Sequence, residues 1–491
     1  MDVLGPGEHA GEVAKQQSHV HQVCSMGALG VSVLLGTALA LAALALVKMP
    51  TATREPDSGT GRPVVDVRQR ALLKEIQKRH EDVALYQRAL REGRAHRPGL
   101  ELGGMDEAVA EGADGGHAGL GCQDLAGLRQ VDYLGSGFTK LVLKGTLASG
   151  RVVALKSVHA EGSDLRRCVQ LYGDAAGCYR LATYKLLKEV TLLRGLQHPG
   201  IIQLQGQCND RSPDADTRVT AMLELGCPLE MIKLLQTPWE ERFKICLNLV
   251  ELLHYLAQSP LGSIALLDFQ PRQFVLVDGE LKVTDLDDAS TEELPCREDD
   301  DCQLDFPTKT FLLRCSPAGT CEGINEKRNL YNAYRYFFTY LLPHAAPPAL
   351  QPLLYNIMNA TGDLRHGISD TLRAFQNVLQ LYKSGRYLHK RPRHLKDYTS
   401  LKGFRIKETQ DYKCWPSFSH LGCLLSVHNA EEAAAICTSH PQCRSFVIGQ
   451  ATTWTGRHLA SFRSTSAELV QDVNSVVYTK RSGTSKERFK E

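Results

Sequence analysis

The stretch SIALLDFQPRQFVLVDGELKVTDLDDA, residues 263–289, decides the fold. It contains two short runs of β-forming residues, QFVLV and ELKVT, on either side of Asp278-Gly279, a dipeptide typical of tight β-hairpins. Asp268 precedes the hairpin and Asp285 directly follows it. We therefore expect both carboxylates on one rim of the sheet, where one can accept a hydroxyl proton and the other can bind a divalent cation.

A glycine-rich turn and a lysine lie upstream of this stretch. The segment VDYLGSGFTKLVLKG, which starts at Val131, places Gly135 and Gly137 among β-forming residues, and the next strand, RVVALKSV, contains Lys156. Glycines let backbone amides approach a phosphate without a Cβ in the way, and a lysine can neutralise it. Glycine pairs are common in hairpins, so this pair alone predicts only a turn. The amphipathic helix that ends at the HPG motif adds Glu189, which is placed to pair with Lys156 and orient it.

Together these features occur in the order and spacing of a protein kinase, and the chain resembles one over residues 125–385. The resemblance implies a two-lobed α+β protein kinase-like fold. Three departures stand out: Leu266-Leu267-Asp268 replaces the HRD motif, Gln273 replaces the loop asparagine, and Asp285-Leu286-Asp287 replaces DFG. The loop arginine of HRD usually meets a phosphate on the activation segment, so switching by phosphorylation is not expected here.

The departures narrow the resemblance to one branch of the kinases. With the insertion from Cys168 to Cys178 and the run CEGINEKRNLYNAYRYFFTYLLP from Cys321, the chain resembles the extracellular tyrosine-protein kinases among the divergent kinases of the secretory pathway. That resemblance runs from the kinase core to the C-terminus. It implies a glycoprotein of the Golgi lumen and the extracellular space that phosphorylates tyrosines of lumenal, secreted and extracellular-matrix proteins.

The kinase resemblance also implies roles for individual residues. Asp268 would orient and deprotonate the acceptor hydroxyl, and Asp285 with Gln273 would hold Mg²⁺ or Mn²⁺. Arg272, four residues after Asp268, stands where many tyrosine kinases have an arginine that can steady the ring oxygen and the phosphate. ATP is the expected donor, bound by Leu134, Gly135, Ser136, Gly137, Val142, Lys156, Glu189 and, in the hinge strand TAMLELG, Glu224 and Leu225.

Composition bounds the remaining possibilities. A chain of 491 residues allows two to four domains, and 43% hydrophobic with 23% charged residues fits neither wholesale disorder nor a multi-span membrane protein. The formal net charge of +2 gives no global attraction to nucleic acid, so no nucleic-acid partner is expected.

Residues 26–47, MGALGVSVLLGTALALAALALV, carry no charge and are predicted to be a signal peptide or signal anchor behind a flank of residues 1–25. Whether this segment is cleaved stays open, and membrane contact is expected only through it. Of the 15 cysteines, 14 follow it, which favours a lumenal body. Asn359 begins a glycosylation sequon, in agreement with that location.

Residues 48–121 are predicted to be a stem or linker that precedes a kinase domain at 122–395. Within it, RQRALLKEIQKRHEDVALYQRALREGR, residues 68–94, has apolar positions near helical spacing. A docking helix and a solvated spacer helix fit this pattern equally well. Residues 103–119 have the composition of a linker.

Residues 409–482 are predicted to form a separate cysteine-bearing module, which resembles a PAN or apple-type domain with one helix and a small sheet. Its four cysteines allow three pairings, and partner binding and a passive brace on the kinase both remain open. The disulfide candidates of the whole chain are Cys168, Cys178, Cys296, Cys302, Cys315, Cys321, Cys414, Cys423, Cys437 and Cys443.

Two functions from other classes share this scaffold. A lumenal sugar kinase would differ in its acceptor, and a non-catalytic scaffold would use the kinase shape only to bind partners. The presence of Lys156, Glu189, Asp268 and Asp285 argues against the scaffold, since a binding surface needs none of them.

Overall fold

The computed structural model describes residues 62–95, 119–210, 218–388, 393–407, 412–466 and 468–481, with side chains from residue 67 to 92 in the first range. The predicted apolar segment at 26–47 lies outside these residues. Among the residues described, we find no helix with the length and apolar character needed to span a membrane. The chain divides into two units. The first holds the described residues up to 195 with 202–228 and 275–280, and the second holds 196–201, 229–274 and the described residues from 281 onward.

The first unit is built on a five-stranded antiparallel sheet in the order β1-β2-β3-β5-β4. Its strands are β1 Gln130–Ser136, β2 Lys140–Thr146, β3 Val152–Val158, β4 Leu204–Asp210 and β5 Arg218–Leu223. β3 is buried on both faces, and its Val153 and Leu155 pack with Leu147 and Met222 in a small apolar core. This strand carries the predicted lysine, Lys156.

Helices flank this sheet: α1 Arg62–Ala95, α2 Cys122–Ala126, α3 Ser163–Tyr172 and α4 Ala175–Gly195. α1 contains the predicted helix at 68–94, and it packs along α4 through Leu72 and Ile76, which cluster with Cys178. Near the other end of α1, Leu90 lies so close to Gly195 of α4 that a Cβ built on Gly195 would be 2.2 Å from the Leu90 side chain. Of the two interpretations left open by the sequence, the structure supports the docking helix.

Two disulfides tie these helices down. Cys168–Cys178 joins α3 to α4, as the candidate list anticipated. Cys122–Cys208 joins α2 to β4, and the sequence analysis did not predict this bond. The distance of 86 residues between these two cysteines gives no local pattern that would reveal it.

The stretch that opened the sequence analysis folds as predicted. β8 Phe274–Val277 and β9 Glu280–Val283 form a hairpin, in which Asp278 and Gly279 have φ angles of 51° and 79°. Positive φ at both central residues is the requirement of a type I′ turn. With β6 Cys227–Pro228 the hairpin makes a three-stranded sheet.

The second unit is mainly helical between residues 231 and 384. Its helices are α5 Met231–Leu235, α6 Trp239–Ala257, α7 Ile324–Ala333, α8 Thr339–Leu341, α9 Gln351–Gly362 and α10 Ile368–Ser384, with a π-helical turn at Tyr334–Phe338 between α7 and α8. Aromatic side chains from three of these segments fill the core, where Phe243, Phe337, Phe338 and Phe375 are each at most 1% exposed. Two short strands, β7 Ala265–Leu266 and β10 Ala289–Ser290, pair with each other beside these helices.

A hairpin stands where a kinase has its activation segment. It consists of β11 Gln303–Phe306 and β12 Lys309–Leu312. Four of the disulfide candidates flank this hairpin and pair among themselves, as Cys296–Cys315 and Cys302–Cys321. Leu304 and Leu313 pack against the Cys302–Cys321 disulfide and form a separate small apolar core with it.

The C-terminal part contains the predicted helix and sheet. The strands are β13 Tyr398–Ile406, β14 Cys423–Val427, β15 Ser445–Thr452, β16 His458–Arg463 and β17 Leu469–Lys480, in the order β13-β17-β15-β16-β14, and the helix is α11 Ala430–Ser439. Because β13 pairs along β17, the sheet begins before the boundary expected at residue 409. Of the three possible pairings, the structure has Cys414–Cys423 and Cys437–Cys443.

Candidate active site

The glycine-rich turn joins β1 to β2. Gly135 lies opposite Val142 across the two strands, Leu134 forms a bulge, and the Gly137 N–H donates to the Lys140 carbonyl at 2.8 Å. A Cβ built on Gly135 would meet no protein atom within 4 Å, and on Gly137 the nearest atom would be 3.9 Å away. Neither glycine has a positive φ. The protein itself therefore does not require glycine at either position, and the space beside them suits the close approach of a ligand.

An insertion helix holds this turn. The backbone N–H of Asp164, in the first turn of α3, donates to the Phe138 carbonyl at 3.2 Å, and the Thr139 hydroxyl donates to the Asp164 carboxylate at 2.6 Å. A Cβ on Gly162 would lie 2.3 Å from the Phe138 oxygen, so only glycine permits this approach. The sequence analysis noted the insertion and missed this role. The sequence signal that could have indicated it is Asp164, two residues after Gly162 at the start of a helix.

The predicted lysine–glutamate pair is present in the first unit. Lys156 lies opposite Val142 in the sheet, and its Nζ is 2.6 Å from Oε1 of Glu189 on α4. Both side chains are buried. A second lysine, Lys140, reaches the other oxygen of the same carboxylate, with Nζ 2.6 Å from Oε2. The sequence analysis did not identify Lys140.

The predicted hinge follows β5. The Gln203 N–H donates to Oε1 of Glu224 at 2.7 Å, and the Glu224 N–H donates to the Gln203 carbonyl at 3.0 Å, so the start of the hinge is fixed from two sides. Leu225 is half-buried beside it. A Cβ on Gly226 would lie 2.6 Å from Val275, which explains the glycine there.

The side chains of the other predicted loop residues donate hydrogen bonds to the Asp268 carboxylate. It accepts hydrogen bonds from Gln270 Nε2 at 2.8 Å, from Arg272 Nη2 at 3.2 Å and from Gln273 Nε2. These donors hold the carboxylate in one orientation within a short 3-10 turn, Pro271–Gln273. A fixed, partly exposed carboxylate is suited to accept a proton from a hydroxyl group.

The base of this loop is anchored by a buried asparagine. Asn329 on α7 is 1% exposed; its Oδ1 accepts from the Leu266 N–H at 2.8 Å and its Nδ2 donates to the Ile264 carbonyl at 2.7 Å. Phe269, directly after Asp268, is buried against Phe274. Asn329 was not predicted from the sequence, although the asparagines at 325 and 329, four residues apart, could have drawn attention to it.

A small cavity in the second unit is lined by oxygen-bearing side chains: Asp268, Gln273, Asp285, Asp287 and Asp288. The Thr284 N–H donates to the Gln273 carbonyl at 2.8 Å, and this bond brings Gln273 beside the residue that precedes Asp285. Because Gln273 Nε2 is used on Asp268, its Oε1 is the atom it offers to a metal. Carboxylate and amide oxygens are the ligands that Mg²⁺ and Mn²⁺ prefer, so the donor set fits such a cation.

The predicted glycosylation site lies on α9. Asn359 is exposed, whereas Thr361 of the same sequon is buried and bonds the Ile357 carbonyl at 2.8 Å. An exposed asparagine is accessible to a glycan in the folded protein.

Comparison with known proteins agrees with this geometry. A model of the protein-kinase domain of FAM69 matches residues 188–360, a range that contains Glu189, Asp268 and Asp285. The chain is 54% identical over 377 residues to human (Homo sapiens) "Extracellular tyrosine-protein kinase PKDCC", an alignment that covers 77% of this chain and 76% of the human protein. The chain belongs to the kinase family of human PKDCC. Membership in the PKDCC family confirms the resemblance drawn from the sequence motifs.

Proposed function

We propose that this protein is a secretory-pathway tyrosine kinase that transfers the γ-phosphoryl group of ATP to tyrosine side chains of lumenal, secreted and extracellular-matrix proteins. The observation that carries the proposal is the ordered surroundings of Asp268, whose carboxylate is held by three side-chain donors beside the oxygen-lined cavity. A binding scaffold has no use for such an arrangement. The relative's printed name, extracellular tyrosine-protein kinase, supports the acceptor and the compartment, and we extend the compartment to the Golgi lumen.

In this proposal the first unit binds the nucleotide. The turn Leu134–Gly137 covers the phosphates with backbone amides, Val142 packs against the base, and Lys156, oriented by Glu189, contacts phosphate oxygens. The hinge at Glu224 and Leu225 meets the adenine. The anchored turn lowers the entropy cost of ordering the protein around ATP.

The second unit handles the acceptor. Asp268 accepts the proton of the tyrosine hydroxyl, and Arg272, whose guanidinium lies 3.2 Å from Asp268, is close enough to the base to steady the phenolic oxygen. Asp285 and Gln273 would hold the Mg²⁺ or Mn²⁺ ion, which supplies charge neutralisation of the phosphates. Most of the rate enhancement then comes from positioning and electrostatics.

A kinase assay on the purified, secreted full-length protein tests the proposal. The protein is incubated with ATP, Mn²⁺ or Mg²⁺ and secreted protein substrates, and the labelled products undergo phosphoamino-acid analysis. We expect phosphotyrosine from the wild type and a loss of roughly 10² to 10⁴ in rate for Asp268→Asn, the usual worth of a general base. Asp370→Asn, which removes an exposed carboxylate on α10, is the matched control and should be unaffected.

Three results would contradict the proposal in different ways. Phosphoserine or phosphothreonine without phosphotyrosine would refute the acceptor, and label on glycan would favour the sugar kinase. Equal labelling by wild type and Asp268→Asn would indicate a contaminating kinase and leave the scaffold as the better explanation.

A further inference from the structure

Glu189 binds two buried lysines in the first unit. Lys156 Nζ is 2.6 Å from Oε1 and Lys140 Nζ is 2.6 Å from Oε2. The side chains of both lysines are 7% exposed, and that of Glu189 is 1% exposed. Each carboxylate oxygen thus has its own ammonium partner.

One lysine is enough to orient and neutralise one carboxylate. A second buried ammonium group costs desolvation free energy, which an apolar residue at this position would avoid. Lys140 is the first residue of β2. Orienting and neutralising Glu189 therefore needs only one of the two lysines.

The backbone of Lys140 belongs to the glycine-rich turn. Its carbonyl accepts the Gly137 N–H at 2.8 Å, which closes the turn that would cover the nucleotide phosphates. The preceding residue, Thr139, is fixed by the Asp164 carboxylate at 2.6 Å. The backbone of Lys140 thus lies at the anchored end of this turn, and its side chain reaches the carboxylate that orients Lys156.

We propose that Lys140 is a second phosphate-binding lysine, so that ATP is held by the ammonium groups of both Lys140 and Lys156. This inference rests on the proposed function, because it assigns the residue a ligand of that same site. A lysine presents a compact point charge on a flexible stem, so a small rotation lets its ammonium contact a phosphate oxygen while Glu189 remains nearby. Glu189 then holds two cations in place for one polyanion.

Nucleotide binding to the secreted full-length protein tests the assignment without requiring catalysis. Affinities for ATP and for adenosine are measured by thermal shift with Mn²⁺ present, for the wild type, Lys140→Met and Lys140→Gln. We expect both variants to lose roughly 10- to 100-fold in ATP affinity, the worth of a hydrogen bond between charged groups, with adenosine affinity unchanged. Lys144→Met, on the same strand with a 38% exposed side chain, is the control and should bind ATP as the wild type does.

A purely structural role would lower stability without changing the ratio of ATP to adenosine affinity, and that result overturns the proposal. If the variants are not secreted, the wild type still decides the question. An acyl-phosphate derivative of ATP acylates lysines beside the bound phosphates, because the amine attacks the acyl carbon, forms an amide and releases ATP. We expect ATP-protected labelling of Lys140 as well as Lys156, whereas labelling of Lys156 alone refutes the assignment.

These outcomes separate the two proposals. A wild type that binds ATP but transfers no phosphate contradicts the proposed function, while the affinity ratio still decides on Lys140. A wild type that phosphorylates tyrosine, with Lys140 variants that keep the affinity ratio, contradicts only the role of Lys140.

Discussion

Gln273 links the predicted base to the predicted metal site at the scale of single atoms. Its side-chain amide nitrogen donates to Asp268, and its backbone carbonyl accepts the N–H of Thr284, the residue before Asp285. A glutamine can serve here in place of asparagine because its longer side chain reaches Asp268 with one end of the amide and offers the other end to a cation. In the proposed function the same side chain would both position the base and offer a ligand to the metal.

The first prediction concerns that double role. Gln273→Leu keeps the volume but removes both polar contacts, so the Mn²⁺ concentration for half-maximal activity should rise roughly 10- to 100-fold and the maximal rate should fall. Gln273→Glu, which adds a carboxylate ligand but repels Asp268, should bind metal at least as tightly while still losing rate. A metal titration of the tyrosine kinase activity measures both effects. Unchanged metal dependence in Gln273→Leu would remove this residue from the metal site.

The second prediction concerns Cys246, the free cysteine among the residues described. It is fully buried on α6, and burial raises the pKa of its thiol far above the usual value. Because the thiolate is the nucleophile, the native protein should leave this thiol unmodified by iodoacetamide near neutral pH, and labelling should appear only on unfolding. Mass spectrometry of the Cys246 peptide across a urea series measures this. Rapid labelling of the native protein would contradict the buried position.

Some site residues follow from sequence order and others do not. Lys156, Glu189, Asp268 and Asp285 are separated by spacings that a known fold explains, and the structure pairs Lys156 with Glu189 and places Asp268 and Asp285 at one cavity. The contacts of Lys140 and Asp164 are tertiary: Lys140 is an ordinary charged residue until folding brings Glu189 close, and the helix-start pattern around Asp164 does not reveal its partner Thr139. Conversely, the fixed orientation of Asp268 depends on three donors whose rotamers the sequence does not specify.

At the scale of elements, the activation segment is held by covalent bonds. Each of its two disulfides joins cysteines 19 residues apart, and the hairpin of β11 and β12 lies between them. Closing loops of this length restricts the unfolded ensemble and stabilises by about 3 kcal/mol per bond in the chain-entropy model. We therefore expect the segment to be ordered without phosphorylation.

The third prediction follows from these bonds. The double variant Cys296→Ser with Cys315→Ser should lower the melting temperature and expose the hairpin to limited proteolysis, with a loss of kinase activity. Phosphatase treatment of the wild type should leave its activity unchanged. The matched control is Cys414→Ser with Cys423→Ser, which removes a disulfide from the C-terminal sheet and should leave the hairpin protected. A wild type that loses activity with phosphatase would contradict the covalent account.

The helix α1 acts on the site through α4. Leu72 is 1% exposed and packs in the cluster around Cys178, while the adjacent Leu73 is 54% exposed. The sequence predicted the helix from its apolar spacing, but whether that apolar face meets solvent or another helix depends on a tertiary partner. Since α4 carries Glu189, the docking of α1 stabilises the position of the Lys156 partner.

The fourth prediction uses this pair of neighbouring leucines. Leu72→Asp buries a charge at the contact with α4 and should destabilise by several kcal/mol, the range for an unpaired charge in a core. It should also reduce ATP affinity, because α4 and Glu189 lose their support. Leu73→Asp makes the same change at an exposed position and should be close to neutral. Thermal melts with and without ATP measure both effects, and equal behaviour of the two variants would contradict the docking.

At the scale of the whole second unit, the C-terminal sheet and the kinase helices share a buried polar network. Glu240 on α6 is 2% exposed and accepts hydrogen bonds from Thr455 at 2.6 Å and from the Tyr382 hydroxyl at 3.1 Å. Arg457, also 2% exposed, pairs with Glu432, and its guanidinium lies 4.1 Å from the Tyr382 ring centre. Buried charges of this kind require all their partners, so the module and the helices depend on one another. The network supports the brace interpretation of the module.

The last prediction tests this dependence. Arg457→Leu leaves Glu432 buried without its cation, and breaking a buried pair in this way typically destabilises by about 3 to 5 kcal/mol. Because the same guanidinium donates to the Tyr382 carbonyl at 3.2 Å on α10, the loss should reach the kinase helices and lower the temperature at which kinase activity is lost. Arg444→Leu, at an exposed position of the same module, is the control and should melt and phosphorylate as the wild type does. Differential scanning calorimetry alongside thermal inactivation measures the two effects. If Arg457→Leu melted the module alone while kinase activity kept its wild-type heat resistance, the module would be an independent domain and the partner-binding interpretation would take precedence.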